Sequence, residues 1–307
     1  MAANAVTPNI IISMKSKIIT LFFLLSTIYT LSFAQKDTSN LRDKGFDFAI
    51  GGGIFFGNKY NAAYYSGKPD NECPLNYIFS NKYWYDEINQ KVKDNYAYVS
   101  DSVYLKDYPG NVAYKVAMLI SLEIKYKFNK NWGLSLNYTF SRLTASTPFF
   151  LYFDAPPSNI RYNYVEESLI AKEDRSMIDL SVSCLFHPHK IFKPFLEMGV
   201  QFNYVRVKSF DAYIEKTPYN LLDIYNGANY VPGVQLTENK PLYGGAGYGF
   251  VVAAGLKIVC NKYISLDPVF HLLASSIHLP GYTGVALNYG VQVRVVMSDA
   301  VFGKWGK

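Results

Sequence analysis

Ser276 and His278 stand two residues apart near the end of an apolar stretch, with His271 and Ser275 just before them. Residues two apart share a face of an extended strand, so a hydroxyl and an imidazole would lie side by side. That is the start of a nucleophile and base pair for acyl transfer. Such a pair also needs an acid to orient the imidazole, and nothing in the spacing marks one. Ser276 and His278 therefore read first as polar residues at a strand end, and no catalytic residue is assigned. His187 and His189 flank Pro188 in a turn, and Cys73, Cys184 and Cys260 are widely separated, so neither set has the spacing of a metal site or a disulfide framework. No metal and no cofactor is expected.

The elements that would position these residues are strands. From Tyr114 to Phe128 every second residue is apolar or aromatic, and Asn129, Lys130 and Asn131 then supply turn chemistry before the alternation resumes from Trp132 to Ser141. A period of two specifies strands, and the pair predicts a hairpin. The same pattern predicts strands from Gly45 to Gly57, from Ile178 to Phe186, from Leu196 to Tyr204, from Tyr248 to Ile258, from Ile264 to Leu272 and from Val285 to Val295. Pro268 interrupts the seventh, where it must fall at a bulge or a gap in the ladder. Long connections over 58–110, 145–175 and 209–245 alternate with tight turns at 129–131, 187–193 and 260–262.

The second face of each strand decides the environment. Gly133, Ser135, Asn137, Thr139 and Ser141 are small and uncharged, unlike a solvated face and like a packed polar interior. The apolar face then points to lipid, because the opposite register would place Glu123, Lys125 and Lys127 in hydrocarbon, at about 2 to 4 kcal/mol per Lys near the midplane. Half of the 307 residues are hydrophobic and the chain holds 27 Tyr and 21 Phe, which suits a barrel with aromatic girdles. Met14, Lys15 and Lys17, the apolar run Ile18 to Phe33 and the small-x-small end at Ala34 read as a cleavable export signal, with translation starting at Met1 or Met14. No Cys follows the cleavage site, so no lipid anchor is expected. The formal charge of +6 is spread along the chain and does not argue for nucleic acid.

With eight strands, short turns on one side and long loops on the other, the chain resembles the small eight-stranded outer-membrane barrels, the OmpA-like transmembrane domain and OmpX-like class, over about residues 45–297. The predicted fold class is all-β, a single up-and-down antiparallel transmembrane barrel. Residues 1–34 form an extension and signal peptide, 35–44 a periplasmic segment, 45–297 the barrel and 298–307 a periplasmic tail with Phe302 and Trp305. The resemblance implies the outer membrane of a Gram-negative bacterium, with outer-membrane lipid and lipopolysaccharide as neighbours. It also brings in lipid A-modifying barrel hydrolases, whose Ser and His lie near the outer leaflet, as an alternative role for Ser276 and His278. A barrel subunit of a secretion or assembly complex and a soluble lipocalin-like carrier are further alternatives, the last disfavoured by the uncharged polar faces.

An eight-stranded barrel is filled by its own side chains. Parity turns Asp47, Lys115, Glu123, Lys125, Asp179, Glu197, Lys257, Asp267, His271 and Arg294 inward, where charges of both signs should pair and plug the lumen. The first long loop carries Tyr64, Tyr65, Tyr83, Trp84 and Tyr85. Such rings offer contact area at low entropic cost, which predicts a surface that binds a protein or glycan; equally, they could pack over the barrel mouth.

Overall fold

The computed structural model describes residues 44–96, 102–153, 163–186, 192–222, 243–261 and 263–299, with Pro232. Its strands are β1 (Gly45–Phe56), β2 (Val103–Leu105), β3 (Ala113–Tyr114), β4 (Ala117–Lys127), β5 (Trp132–Phe153), β6 (Tyr164–Leu185), β7 (Phe192–Ile214), β8 (Thr217–Asn220), β9 (Gly244–Val259), β10 (Ile264–Ser275) and β11 (Ala286–Ser298). The helices are α1 (Lys59–Ala62), a 3-10 turn (Ala63–Ser66), α2 (Asn76–Ser80) and α3 (Lys82–Tyr96). The long strands β1, β4, β5, β6, β7, β9, β10 and β11 each pair antiparallel with the next. β11 returns to β1 from Asp47–Ser298 to Phe56–Tyr289 and closes the ring. The result is an eight-stranded up-and-down barrel with no free edge around its wall.

Pleat and register do the sorting. Ile50, Ile120, Leu136, Leu180, Val200, Phe250, Phe270 and Val293 stand exposed around the outside, while Ser121, Ser135, Asn137, Gln201 and Gln292 are buried within. A continuous apolar outer band over a polar interior is the arrangement of a membrane-spanning barrel. Two inward glycines permit close strand approach: a Cβ at Gly53 would lie 2.0 Å from the Val291 carbonyl oxygen, and one at Gly199 would lie 2.0 Å from that of Leu180. Pro268 sits where the ladder between β10 and β9 lapses over Asp267 and Pro268. On the other side its ladder to β11 is unbroken.

Three expectations need correction. The strand predicted from Tyr114 is broken by a bulge. β3 pairs Tyr114 with Ala145, whereas β4 pairs Leu119 with Ser141, an offset of one residue that leaves Lys115 and Val116 both exposed. Lys115 is therefore outside, not in the lumen, and Tyr114 turns inward instead, where its hydroxyl donates to Glu173. A single inserted residue reverses every side chain beyond it.

The connection predicted over 145–175 is largely strand. β5 and β6 stay paired from Trp132–Cys184 up to Tyr152–Tyr164, and β7 follows to Ile214 before a two-residue turn at Glu215 and Lys216 leads into β8. Along β5 the polarity of the two faces exchanges. Leu134, Leu136 and Tyr138 point out to lipid, while Leu143, Ala145, Phe149, Leu151 and Phe153 of the same strand are buried on the inner face. Above the membrane the outside is water, and a second apolar core lies within.

That core corrects the third expectation. Of the two readings open for the rings of the first long connection, packing over the barrel mouth is the one found, and residues 58–96 and 102–110 form a folded cap. α3 presents Trp84, Ile88 and Val92, one turn apart, to residues from β5, β6, β7 and β8, including Phe153, Leu169, Phe210, Ile214 and Tyr219. Asn81 caps the helix, accepting from Tyr83 N at 3.0 Å and from Trp84 N at 3.3 Å. Tyr64, Tyr65 and Trp84, read from sequence as surface contacts, are at most 7 % exposed. Burying an aromatic ring removes 150–250 Å² from water, which outweighs any gain from presenting it. Tyr83 is exposed and Tyr85 half-buried. The predicted leader, the rest of the chain to residue 43, the predicted turn holding His187 and His189, and the predicted tail from residue 300 lie outside the described residues.

Candidate functional site

Inside the barrel, four strands supply one charge network. Arg294 of β11 donates from Nη1 to Glu123 Oε2 at 2.8 Å and to Glu197 Oε2 at 3.0 Å. Lys125 Nζ meets Glu197 Oε1 at 2.5 Å and Glu123 Oε1 at 3.2 Å. Two cations and two carboxylates thus close a ring across the lumen between β4, β7 and β11. His271 Nε2 lies 2.6 Å from Gln292 Nε2 and 3.3 Å from Arg294 Nη2. Both neighbours are donors, so Nε2 is the acceptor and His271 is the neutral Nδ1-H tautomer. Asp179 accepts from Gln201 at 2.8 Å and from Asn137 at 3.1 Å, and Asp267 accepts from Ser265 at 3.0 Å. At the end with the short turns, Asp47 meets Lys127 at 3.0 Å and Lys257 at 3.4 Å.

Parity from sequence places Asp47, Glu123, Lys125, Asp179, Glu197, Lys257 and Arg294 in this space; only the structure shows which pairs meet. A cavity of about 30 Å³ opens beside Asp47, Lys125, Lys127 and Lys257, and another of about 10 Å³ lies between Phe55, Met177, Asp179 and His271. Each has room for little more than one water. Phe55, Ala117, Leu119, Leu143, Met177, Val251 and Leu273 form an apolar layer across the lumen, and Phe55, Leu119, Met177 and Leu273 of that layer line the second cavity. An ion crossing it would shed its hydration without replacement, at a cost of many kcal/mol.

A latch follows at the barrel mouth. Tyr65, carried by the 3-10 turn of the cap, donates to Glu173 Oε2 at 2.5 Å, and Tyr114 donates to the same oxygen at 3.0 Å. Arg175 Nε donates to Glu173 Oε1 at 2.5 Å, and its guanidinium lies 5.1 Å from the centre of the Tyr114 ring. Beside it, Asn58 donates from its backbone N and side-chain Nδ2 to Asn288 Oδ1, at 3.0 and 2.8 Å. The cap is thereby tied to the wall through charge-assisted bonds in a dry site. Tyr64, donating to Glu72 at 2.6 Å, packs edge-on to Tyr65 and Tyr282. Burial pushes the Tyr64 phenol far above its usual range, so it stays a neutral donor.

Besides Tyr83, rings open at least in part to solvent lie where the sequence suggested none. Tyr104, Tyr152 and Tyr164 stand opposite one another on β2, β5 and β6, on the face away from the cap core. Their centroids are 6.1 and 5.8 Å apart, and Phe150 adjoins Tyr164 at 5.3 Å. Tyr152 donates to Asp107 at 2.8 Å, and Lys106 Nζ lies 5.6 Å from the Tyr152 ring. Tyr152 and Tyr164 fall in a stretch that the sequence predicts as loop, and cross-strand pairing brings them to Tyr104.

Ser276 and His278 do meet. Oγ and Nδ1 are 3.2 Å apart, and the hydroxyl donates to the Thr283 carbonyl oxygen at 2.7 Å. His278 packs beside Tyr248 at 5.7 Å in a left-handed backbone conformation, φ 46°. Among the described residues no carboxylate contacts His278, and His271 is occupied in the lumen by Gln292 and Arg294.

No family model matches the chain, and no curated protein matches it. Among solved structures it is similar to small outer-membrane barrels. Neisserial surface protein A aligns over 82 % of this chain and 95 % of its own, at 9 % identity and TM-score 0.38. The attachment invasion locus protein Ail of Yersinia pestis, in complex with the heparin analogue sucrose octasulfate, aligns over 83 % and 98 %, at 9 % identity and TM-score 0.34. The N-terminal β-barrel domain of Pseudomonas aeruginosa OprF aligns over 84 % and 99 %, at 7 % identity and TM-score 0.33. At such scores the assignment rests on this chain's own strand pairings, and by them the protein is a closed, eight-stranded transmembrane β-barrel carrying a folded cap on its long-loop side.

Proposed function

We propose that the chain is an integral protein of a Gram-negative outer membrane in which the barrel is a closed anchor and the cap is the working surface. The cap binds or shields at the cell surface, without enzymatic turnover. The observation that carries this reading is the second core. Three strands run well past the apolar band, and helices from the first long connection fill the space between them. A barrel whose only task was passage would gain nothing from stoppering its mouth. The charge ring, the apolar layer and the single-water cavities support the same conclusion. On the cap, the row of exposed Tyr104 and half-buried Tyr152 and Tyr164 replaces Tyr64, Tyr65 and Trp84 as the contact surface, with Asp107 and Lys106 as polar flanks for a glycan or protein ligand.

Two measurements test the reading. Protein made with its own leader should sediment with the outer membrane and change gel mobility on boiling; recovery from the soluble periplasm with no shift would overturn it. Cells displaying Tyr104→Ser, Tyr152→Ser and Tyr164→Ser together should then lose adhesion to glycan or protein arrays while keeping the heat-dependent shift. Unchanged adhesion would refute the assignment of that surface.

A further inference from the structure

Just above the apolar band, on one side of the barrel, the outer face becomes basic. Arg142, Asp174 and Arg206 are cross-strand neighbours on β5, β6 and β7. One pair higher, Thr144 pairs with Lys172, Lys208 shares the outer face with Arg206 two residues before it, and the bulge before β4 turns out Lys115, whose N–H donates to Thr144 O at 2.8 Å. All five cations are exposed. Two carboxylates adjoin them. Asp174 is shared by Arg142 at 2.6 Å and Lys208 at 3.4 Å, and Asp211 lies further up, near Lys172. Lys115, Lys172 and Arg206 have no ion-pair partner among the described residues.

Depth identifies what meets this surface. Directly below on the same strands lie Tyr138, Ile178, Phe202 and Tyr204, exposed to between 41 and 53 % and forming the upper limit of the band. Acyl chains cover that band, so the next layer outward is headgroup. Long basic side chains reach into such a layer from a wall position. The outer ends of β1, β9 and β11 carry Phe56, Tyr248 and Leu287 instead, so the charge is confined to one wall. The bulge before β4 adds Lys115 to the patch, since the alternation of β4 alone would turn it inward.

We infer that Lys115, Arg142, Lys172, Arg206 and Lys208 form a docking surface for the phosphate groups of a phosphorylated glycolipid of the outer leaflet. The guanidinium of Arg206 offers paired N–H donors to a phosphate, and the lysines add point charges around it. Thr144 and Ser209 are the hydroxyl neighbours on the same rows.

The test uses the whole protein in phosphatidylcholine nanodiscs doped with diphosphorylated lipid A or with the same lipid stripped of phosphate, reading bound lipid by native mass spectrometry. The unmodified protein should retain the diphosphorylated form selectively, and less of it as salt is raised. Lys172→Gln, Arg206→Gln and Lys208→Gln together should weaken retention by about 100-fold, from roughly fivefold per charge at a membrane surface. Lys59→Gln, Lys68→Gln and Lys82→Gln, which remove the same charge from the cap, should leave retention unchanged. Equal retention by the Lys172, Arg206 and Lys208 variant would overturn the proposal. So would failure of the unmodified protein to distinguish the two lipids, a result independent of how any variant folds.

Discussion

Replacing Tyr65 with Phe tests the latch between cap and barrel. The substitution keeps the buried ring, with its edge-on contacts to Tyr64 at 5.0 Å and Phe210 at 5.5 Å, and removes only the hydroxyl that donates to Glu173. A buried hydrogen bond to a charged group contributes about 1.5–3 kcal/mol, and Glu173 keeps Tyr114 and Arg175, so the loss should fall within that range. The cap's core is distinct from the membrane-spanning ladder, so the loss should appear as local opening. A protease that cuts only the opened cap should then act about 10- to 150-fold faster when reclosing outpaces cleavage. Tyr65→Ala, which also empties the ring's site, should add the roughly 3–5 kcal/mol of a deleted buried aromatic. In both variants the temperature of the heat-dependent gel shift should stay near that of the unmodified protein. Unchanged cleavage of Tyr65→Phe, or a fall in the shift temperature matching the rise in cleavage, would refute a latch that acts separately from the barrel.

Further outcomes follow from the same geometry. Arg294→Met leaves Glu123 and Glu197 facing one another with only Lys125 between them, and should destabilise the barrel by about 3–5 kcal/mol, read as a lower urea midpoint for refolding in detergent micelles. Leu136→Lys puts a charge on the lipid face and should cost about 2–4 kcal/mol if it lies near the midplane, whereas Lys82→Gln on the cap should cost almost nothing in the same assay. Burial pushes the Glu167 carboxyl up to about 7. Its folded value lies above the unfolded one, so its contribution to cap stability is complete below about pH 4 and is lost as pH rises through about 7. Cap proteolysis with a pH-independent protease should therefore quicken from pH 5 to 8, and Glu167→Gln should flatten that rise; a profile that keeps its slope in the variant would assign it to another group.

How much was legible divides at the membrane boundary. Within the band, the side chains of a closed barrel face lipid or lumen by strict alternation, so Tyr126, Ile124 and Leu122 against Lys125 and Glu123 specify strand, face and register together. Beyond the band the same β5 keeps its parity but reverses its polarity between Tyr138 and Leu143, so one continuing apolar face ends at Ser141, twelve residues before the strand does at Phe153. The signal for α3 lies in the one-turn spacing of Trp84, Ile88 and Val92 behind Asn81.

Strand type, strand number and the outward facing of the apolar residues were determined by the sequence itself, because a period of two and the cost of charge in hydrocarbon are local facts. Which lumen charges meet was decided by tertiary structure, since Glu123, Glu197 and Arg294 lie far apart in the chain and are joined only by closure of the ring. Tertiary structure also decided that Tyr65 is a latch and Tyr104 a surface residue, because the two differ in what is packed above them. The one-residue slip at Lys115 belongs there too: a bulge is selected by the fit of Tyr114 onto Glu173 and Arg175, and no alternation pattern records it.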